Sequence, residues 1–340
     1  MLGALQNHVV LIGFMGAGKS TTGAEVARRV DRPFLDIDDE IERAEGPIRE
    51  LFAEQGEPAF RELEARFVRE ACARREPSVI AVGGGAVETR QLLEAKDVLV
   101  VHLEVDADTA WRRVQGSGRP LAQDEAEFRR RFEQRAPLYR EIADAVARDA
   151  DGVILAAAGI HVELGSLEHL GDLVPGEAPV ALVADAHVSG IHGADAQLAL
   201  GTRLASTHTV PAGEEAKTVA VAERLWRELE LDRNGVLVAL GGGSTTDVAG
   251  FAAAAHLRGV GWVPVPTTLV GQVDAAIGGK TGVDLPGGKN LVGAFHWPLS
   301  TVIDPALLET LPERERLAGM PEVVKTGLIA GEQLWELPEP

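Results

Sequence analysis

The sequence predicts an α/β protein in which a domain with a parallel sheet is followed along the chain by a second α/β domain. Short β-branched apolar runs alternate with longer helical patterns in both halves, as in strand-helix-strand units. In each half a glycine-rich loop follows an apolar strand. The length of 340 residues suits this reading, at about 150 residues per domain.

In the first half, apolar runs predict buried strands at residues 8–12, 79–82 and 98–103. Helical periodicity predicts helices at 58–74 and 125–143. Strands and helices that alternate in this way indicate a parallel sheet covered by helices.

The alternation of predicted strands and helices resumes after residues 165–179, which contain Gly and Pro and lack a regular spacing of apolar residues. The elements predicted beyond it are strands at 180–184, 236–240 and 261–265, a helix at 219–231 and a helix pair at 311–334. We therefore expect a first domain at residues 1–158, a strand and linker at 159–179, and a second domain at 180–340.

Composition and charge exclude several classes of protein. Lys and Arg total 33 against 52 Asp and Glu, a net charge of −19, and no long basic stripe offers the surface that nucleic acid needs. Cys72 is the only cysteine, so no disulfide forms within the chain. We expect a cytoplasmic location without a membrane segment, because the start lacks a signal-peptide pattern and no apolar stretch approaches the ~20 residues that span a bilayer.

Residues 13–20 read Gly-Phe-Met-Gly-Ala-Gly-Lys-Ser, which matches the phosphate loop G-x-x-x-x-G-K-[ST]. Backbone N–H groups of such a loop turn inward around phosphates, and the following helix adds positive potential. We expect Lys19 to reach the β and γ phosphates of ATP and Ser20 to bind Mg²⁺. The alternative is a Gly-rich turn without a ligand, which the strand before and the helix after disfavour.

Five further side chains could face a γ-phosphate and its acceptor. Asp36 and Asp38 stand at i and i+2 on a predicted strand, so that one carboxylate could hold Mg²⁺ and the other accept a hydroxyl proton. Arg61 and Arg135 could bind a carboxylate bidentately. Arg119 lies in a glycine-hinged loop typical of a closing lid. The alternatives are carboxylates that are solvated or cap a helix, and an Arg119 on an ordinary surface turn.

Together these segments resemble shikimate kinase over residues 8–150. The motifs that carry the resemblance are residues 13–20, Asp36-x-Asp38, Phe60-Arg61, Gly83-Gly84-Gly85, Arg119-Pro120-Leu121 and Arg135-x-Pro-x-Tyr139. The resemblance implies ATP contacts by Gly16, Ala17, Gly18, Lys19, Ser20, Thr21 and Arg119. It implies shikimate contacts by Asp38, Arg61, Gly84, Gly85 and Arg135. It also implies that Asp36 lies on the Mg²⁺ side and that Lys19, Asp38 and Arg119 are catalytic. Residues 149–152 depart from the family, because they are acidic where a basic adenine-side loop is usual.

The second glycine loop, residues 241–247, joins a predicted strand to a predicted helix and offers N–H groups to a pyrophosphate. The spacing is not G-x-G-x-x-G, so a tight turn without a ligand is the alternative. Basic residues recur in Gly-rich runs nearby, a combination typical of phosphate contacts. These runs are residues 213–217, 257–259, 278–282 and 287–290.

With Pro266-Thr267-Thr268, Gln272-Val-Asp274 and Glu322-Val-Val-Lys325, these runs resemble the N-terminal NAD-binding domain of 3-dehydroquinate synthase over residues 160–332. The resemblance implies NAD contacts by Glu214, Lys217, Gly241, Gly242, Gly243, Asp247, Thr267, Thr268, Asp274 and Lys280. It implies catalytic roles for Lys280 and Asn290, and substrate contacts by Arg258, Lys289 and Lys325. It makes Glu322 a ligand of Zn²⁺ or Co²⁺.

We expect that zinc site to be incomplete. Catalytic zinc takes about three protein ligands, and the family draws two histidines from a helical domain that follows this point. Here the last histidine, His296, precedes Glu322. His256 and the other histidines of this half are predicted to be polar surface or core residues. Without the family likeness, Glu322 would be predicted to be a surface residue.

The sequence thus predicts a bifunctional enzyme of aromatic amino-acid biosynthesis. A shikimate kinase using ATP and Mg²⁺ precedes an incomplete synthase half that takes NAD⁺ and a heptulosonate phosphate and could form a homodimer. One alternative is another small-molecule P-loop kinase joined to a metal-dependent alcohol dehydrogenase, against which residues 278–280 and 287–290 argue. The other is a second half that only binds nucleotide or oligomerises and so regulates the kinase.

Overall fold

The computed structural model describes residues 7–85, 98–116 and 124–330. The chain forms two compact units, Met1–Ala158 and Gly159–Pro340. Both contain parallel sheets covered by helices, which confirms the predicted α/β class. In the described part of the chain, every helix is too short or too polar to cross a membrane.

The first unit has one parallel sheet. Its strands are β1 (His8–Ile12), β2 (Phe34–Asp36), β3 (Val79–Ala81), β4 (Val98–Leu103) and β5 (Ala145–Ala147), in the order β2-β3-β1-β4-β5. Its helices are α1 (Lys19–Arg29), α2 (Ile37–Glu45), α3 (Ile48–Cys72), α4 (Ala107–Val114), α5 (Glu125–Ile142) and α6 (Ala150–Ala157). The predicted helix at 58–74 is the second part of α3, which is interrupted by Gly56 with a φ of 81°.

Both faces of this sheet are buried, which explains why β1 is apolar throughout. Alternate residues of a strand point to opposite faces. Val10 and Ile12 pack with residues of α2 to α5, and Val9 and Leu11 pack with residues of α1 and α6. The loops at the carboxyl ends of the strands are therefore held on a rigid core.

The second unit contains a four-stranded parallel sheet and two two-stranded sheets. The strands are β6 (Ile160–Val162), β7 (Val180–Asp185), β8 (Leu204–Val210), β9 (Val236–Gly241), β10 (Gly261–Pro266), β11 (Lys280–Leu285), β12 (Gly288–Phe295) and β13 (Thr301–Ile303). The four-stranded order is β10-β9-β7-β8, while β11 pairs antiparallel with β12 and β6 pairs parallel with β13.

The helices of the second unit are α7 (Leu170–Leu173), α8 (Ala186–Leu200), α9 (Val219–Glu228), α10 (Gly243–Ala255) and α11 (Glu313–Ala330). A π-helical turn at Gly271–Ala275 contacts α11. Where a helix pair was predicted at 311–334, the described residues form the single helix α11, preceded by a 3₁₀ segment at Pro305–Thr310. The stretch 165–179 lies in this unit, where Leu167, Leu170 and Val174 are buried.

Candidate active sites

The phosphate loop has the predicted placement, between β1 and α1. Gly16 has a φ of 84°, and a Cβ there would lie 2.5 Å from the carbonyl oxygen of Ala110, so only glycine fits. Lys19 folds back over the loop and donates to the carbonyl oxygens of Gly13 at 2.8 Å and Phe14 at 3.3 Å. No acidic residue lies in the first turn of α1. The loop therefore presents a cation and a helix N-terminus, which together favour an anion.

A second cation lies against the outer side of this loop. Arg113 of α4 donates through Nη1 to the carbonyl oxygens of Gly16 at 3.1 Å and Ala17 at 3.2 Å. Arg113 was not identifiable from the sequence, because one arginine among several on a helix carries no distinctive signal. Its contacts hold the glycine turn of the phosphate loop.

The acidic pair differs from its prediction. Asp36 ends β2 and caps α2, and its Oδ1 accepts a hydrogen bond from the backbone N–H of Asp38 at 3.1 Å. Asp38 lies in the first turn of α2, so the interpretation of both carboxylates as strand neighbours is wrong. The cause is local, since an aspartate that satisfies the free N–H groups of a helix start ends the strand there. Asp38 nevertheless faces Gly83, where a Cβ would lie 3.3 Å from its Oδ1.

Arg61 forms a largely buried ion pair that the sequence analysis missed. Its Nη1 lies 2.7 Å from Glu64 Oε2 and its Nη2 lies 3.0 Å from Glu57 Oε1, and the Glu64 side chain is only 1% exposed. Burial acts to lower the pKa of Arg61, but the charges and hydrogen bonds of Glu64 and Glu57 together raise it above its ordinary value. The spacing of three residues from Arg61 on a helix is the signal that could have identified Glu64.

Residues Gly83–Gly85 form the loop around which the predicted acceptor-binding residues meet; we call it the acceptor loop. A Cβ on Gly83 would clash with Glu64 Oε1, and one on Gly85 would clash with the guanidinium group of Arg61. Arg135 Nη1 donates to the carbonyl oxygen of Gly84 at 3.3 Å. Asp38, Arg61 and Arg135 are thus brought together, whereas Arg119 lies outside the described residues.

The acceptor loop also approaches the phosphate loop. A Cβ on Gly84 would lie 3.6 Å from the backbone nitrogen of Met15 and 3.8 Å from the carbonyl oxygen of Gly13. These distances correspond to ordinary van der Waals contact, so the two loops lie side by side. A phosphate on one loop and an acceptor on the other would consequently be neighbours.

A cavity of about 550 Å³ in the second unit brings together four of the predicted residues: Asp247, Asp274, Lys280 and Asn290. Its other walls come from β11 and β12, a hairpin that the sequence analysis did not predict. Asn290 adopts a φ of 56°, and its N–H donates to Asp284 Oδ1 at 2.7 Å. This left-handed turn presents Asn290 at the cavity wall.

The second glycine loop lies where it was predicted, between β9 and α10. The N–H of Thr267 donates to the carbonyl oxygen of Gly241 at 3.0 Å. A Cβ on Gly242 would approach Thr268 Cγ2 to 3.1 Å, and one on Gly243 would approach Ala275 to 3.2 Å. The glycines therefore pack closely against the Thr267-Thr268 turn. The first turn of α10 contains no acidic residue.

Asp247 and Lys217 form a half-buried ion pair beside this loop, with Nζ and Oδ2 2.5 Å apart. Burial raises the pKa of Asp247, as do the charges of Glu214 and Asp284, and the contact with Lys217 offsets only part of this rise. Glu214 pairs in turn with Lys289 at 3.2 Å on the exposed side. The predicted NAD-binding residues Glu214, Lys217 and Asp247 thus form one charged cluster with Lys289.

The predicted zinc ligand lies in a different environment. Glu322 is ion-paired with Lys325, whose Nζ also lies 2.9 Å from Asp274 Oδ2. The hydrogen bond from Lys325 is the main cause that lowers the pKa of Asp274. Across residues 7–85, 98–116 and 124–330, no three His, Cys, Asp or Glu side chains are grouped to hold a metal ion. The residues described here do not fit a catalytic zinc site.

The two histidines nearest in sequence to these motifs have structural partners. His296 Nε2 lies 2.8 Å from the carbonyl oxygen of Val260, and His256 Nε2 lies 3.4 Å from that of Leu231. Arg258, a predicted substrate residue, is exposed at a tip where Leu257 and Arg258 have φ values of 50° and 70°. It does not line the cavity of Asp247 and Lys280.

The fold and its two loops define a P-loop α/β unit followed by a second α/β unit with a glycine loop at a helix N-terminus. Residues 15–158 match the shikimate kinase family, and residues 207–318 match the N-terminal domain of 3-dehydroquinate synthase. A bifunctional shikimate kinase/3-dehydroquinate synthase of Thermotoga maritima is 32% identical over 354 residues, which cover 98% of this chain and 70% of the relative. The chain belongs to the bifunctional shikimate kinase/3-dehydroquinate synthase family.

Other relatives match the second unit. A 3-dehydroquinate synthase of Symbiobacterium thermophilum is 50% identical over 183 residues, 51% of this chain and 51% of the relative. A 2-epi-5-epi-valiolone synthase of Streptomyces hygroscopicus, solved with NAD⁺ and Zn²⁺ bound, is 32% identical over 50% of this chain and 49% of its own, with a TM-score of 0.47. The chain spans about half the length of these two relatives. Both family resemblances noted in the sequence are confirmed.

Proposed function

We propose that the first unit transfers the γ-phosphoryl group of ATP to the 3-hydroxyl group of shikimate. Family membership supports this assignment, and the observation that carries it is the convergence of Asp38, Arg61 and Arg135 on an acceptor loop beside the phosphate loop. Two guanidinium groups suit one carboxylate, and an aspartate suits a hydroxyl proton.

Each residue then has a distinct task. Lys19, which donates to loop carbonyls in this structure, turns to the phosphate oxygens when ATP binds and stabilises charge in the transition state. Asp38 accepts the proton of the attacking hydroxyl group. Arg61 and Arg135 fix the carboxylate at the other end of the acceptor, so the hydroxyl group is oriented toward the phosphate. Arg119 contributes a lid cation by resemblance.

The residues present suit Mg²⁺. Ser20 offers an exposed hydroxyl group at the first turn of α1, and Asp36 offers a carboxylate at the end of β2. Oxygen donors of this kind are the ligands that Mg²⁺ prefers. When bound, the ion supplies charge neutralisation on the β and γ phosphates.

Replacing Arg135 by Lys tests the acceptor assignment. A lysine keeps the charge but cannot form the bidentate fork, so we expect the KM for shikimate to rise about tenfold, or ~1.4 kcal/mol, with the KM for ATP unchanged. The matched control is Arg129→Lys on the same helix, because the partners of Arg129 among the described residues are the surface carboxylates of Asp108 and Glu125. Equal changes in both KM values would contradict the assignment of Arg135.

For the second unit, we propose that NAD⁺ binds with its pyrophosphate at the N-terminus of α10 and its nicotinamide toward the cavity lined by Asp247 and Lys280. The absence of acidic residues from the first turn of α10 supports the first part, and the cavity volume of about 550 Å³ supports the second. A heptulosonate phosphate is the proposed substrate, with Lys289 and Lys325 as its contacts by resemblance; no contact is assigned to Arg258, which does not line this cavity. Because the described residues do not fit zinc, no chemical step is assigned to this unit.

Titration calorimetry with NAD⁺ tests this binding mode without requiring turnover. We expect Asp247→Asn to weaken NAD⁺ binding and Asp195→Asn, an exposed position on α8, to leave it unchanged. No heat of binding for the unaltered chain would refute the NAD⁺ site.

We also propose that the second unit pairs with a second copy of itself. Strand β12 carries exposed apolar side chains, among them Leu291 at 62% and Phe295 at 79%. Exposed apolar groups along an unpaired strand edge favour association with another chain. Sedimentation analysis should show a dimer for the unaltered chain and a monomer for Phe295→Glu; a monomer for both would contradict the proposal.

A further inference from the structure

Gly84 is the residue through which the acceptor loop, the phosphate loop and α5 meet. Its carbonyl oxygen accepts a hydrogen bond from the Tyr139 hydroxyl at 2.5 Å and one from Arg135 Nη1 at 3.3 Å. The site proposed above uses Arg135 but leaves Tyr139 without a role. Tyr139 is 1% exposed, so its ring is held by packing while its hydroxyl group donates to this carbonyl.

A second aromatic ring lies behind Tyr139. The imidazole of His102, at the end of β4, stacks on the Tyr139 ring with centroids 5.3 Å apart and planes 20° apart. His102 is itself buried, and its Nδ1 has no hydrogen-bond partner in the described part of the chain. A buried polar atom without a hydrogen bond lowers the stability of the folded state, and packing of the imidazole ring must offset this desolvation cost.

We propose that Tyr139, backed by His102, is a positioning residue that fixes the acceptor loop against the phosphate loop and leaves Arg135 available to the carboxylate of the acceptor. This inference rests on the proposed kinase function. It extends that function to a residue that need not touch either substrate.

The Gly84 carbonyl oxygen would lose one of its donors if the Tyr139 hydroxyl group were absent. Arg135 is the other donor that the structure shows on this oxygen. If Tyr139 no longer donates, the carbonyl either draws Arg135 more closely or moves with the acceptor loop. Both outcomes weaken the binding of the acceptor carboxylate by Arg135, and neither changes Lys19, which is proposed to bind phosphate.

The test is Tyr139→Phe, which removes the hydroxyl group and keeps the ring. We expect kcat/KM for shikimate to fall about 5- to 30-fold, which corresponds to one hydrogen bond of about 1–2 kcal/mol, while the KM for ATP is unchanged. The matched control is Ser78→Ala, which removes another buried hydroxyl group, the donor to the carbonyl oxygen of Glu76, away from the acceptor loop. It should lower thermal stability without changing the KM for shikimate.

His102 provides a second pair of variants. His102→Ala removes the stacked ring and should raise the KM for shikimate, whereas His102→Phe keeps a stacking ring and should restore most of the affinity. A purely structural role would change thermal stability and leave the ratio of the two KM values constant. An unchanged shikimate KM in both Tyr139→Phe and His102→Ala would overturn the proposal.

A readout without substrate separates this inference from the kinase assignment. Hydrogen exchange of peptides covering residues 79–85 should be faster in Tyr139→Phe than in the unaltered chain or in Ser78→Ala. Unchanged exchange would refute the positioning role whether or not shikimate is phosphorylated. Faster exchange in a chain that does not act on shikimate would support the role and refute only the proposed substrate.

Discussion

Replacing Arg61 by Met would leave Glu64 as a buried charge without its partner. The Glu64 side chain is 1% exposed and the Arg61 side chain is 15% exposed, with Nη1 and Oε2 2.7 Å apart. Glu64 Oε1 already has no hydrogen-bond partner among the residues described. The variant therefore removes the ion-pair partner of Glu64 and leaves an isolated carboxylate in a low-dielectric interior.

The expected cost follows from that burial. Breaking a buried pair by removing one partner destabilises proteins by about 3–5 kcal/mol. Because Arg61 retains some contact with water, we take the lower value of ~3 kcal/mol, or roughly 6–12 °C in Tm for a unit of this size. Replacing Glu64 by Leu in the same chain should recover most of the loss, since an apolar pair of similar volume removes the buried charge.

The matched control is Arg29→Met. Arg29 forms an ion pair of the same length, 2.7 Å, with Asp151, but the two side chains are 37% and 73% exposed. Exposed pairs contribute about 0–1 kcal/mol. The assay is urea unfolding of the whole chain, followed by hydrogen exchange in peptides from β1 and β4 so that only the first unit is reported.

Comparing the stability losses of the two variants separates the effect of burying an ion pair from the effect of forming one. We expect Arg61→Met to cost at least about 2 kcal/mol more than Arg29→Met. If the two variants cost the same, or if Arg61→Met/Glu64→Leu is no more stable than Arg61→Met, the reasoning from a buried carboxylate is wrong.

Three further predictions concern pH, charge and metal. Burial, reinforced by Arg140 and Lys19 and opposed by Glu104, lowers the pKa of His102 to about 4. As pH falls, the unfolded chain therefore binds a proton at this position before the folded chain does. The free energy of unfolding of the first unit should consequently decrease by about 2–3 kcal/mol between pH 6.5 and pH 4. A stability difference between His102→Phe and the unaltered chain that is constant over this range would contradict it. Lys217→Met should destabilise the second unit by about 2–3 kcal/mol and weaken NAD⁺ binding, because Asp247 loses its half-buried partner; Lys289→Met, which breaks an exposed pair, should cost less than about 1 kcal/mol. Metal analysis should find less than one tightly bound zinc per chain and no dehydroquinate formation, and a stoichiometric zinc would show that histidines such as His256 and His296 are ligands after all.

The sequence was sufficient for features that depend on short segments. Strands β1 and β4 end at the residues that their apolar runs predict, and the phosphate loop follows from the spacing of Gly13, Lys19 and Ser20. The same holds for the glycine loop before α10. In these segments, local pattern and tertiary burial favour the same structure.

The prediction failed where a side chain had two local options. Asp36 could continue β2 or cap α2, and the cap was formed because a helix start leaves N–H groups that need an acceptor. The sequence pattern does not contain the energy difference between these options, so Asp38 was placed on the wrong element.

Contacts across the fold were also beyond the sequence. Glu64 and Tyr139 matter because α3 and α5 converge on the acceptor loop, and nothing in their own neighbourhoods specifies that meeting. The β11-β12 hairpin was missed because its turn, Pro286-Gly287, and the start of β12 looked like one more phosphate-contacting run. Glu322 gave a motif match, but its partners Lys325 and Asp274 became visible only in the folded unit.

The first unit is proposed to phosphorylate shikimate with ATP. The direct test is ADP release by the purified chain with Mg²⁺ and ATP, measured with shikimate and, as controls, with quinate and gluconate, for the unaltered chain and for Lys19→Ala. We predict shikimate-dependent ADP release that quinate and gluconate do not elicit and that Lys19→Ala largely abolishes, because the transferring phosphoryl group loses its cation. ADP release that is independent of shikimate, or a turnover number that Lys19→Ala leaves unchanged, would contradict the claim.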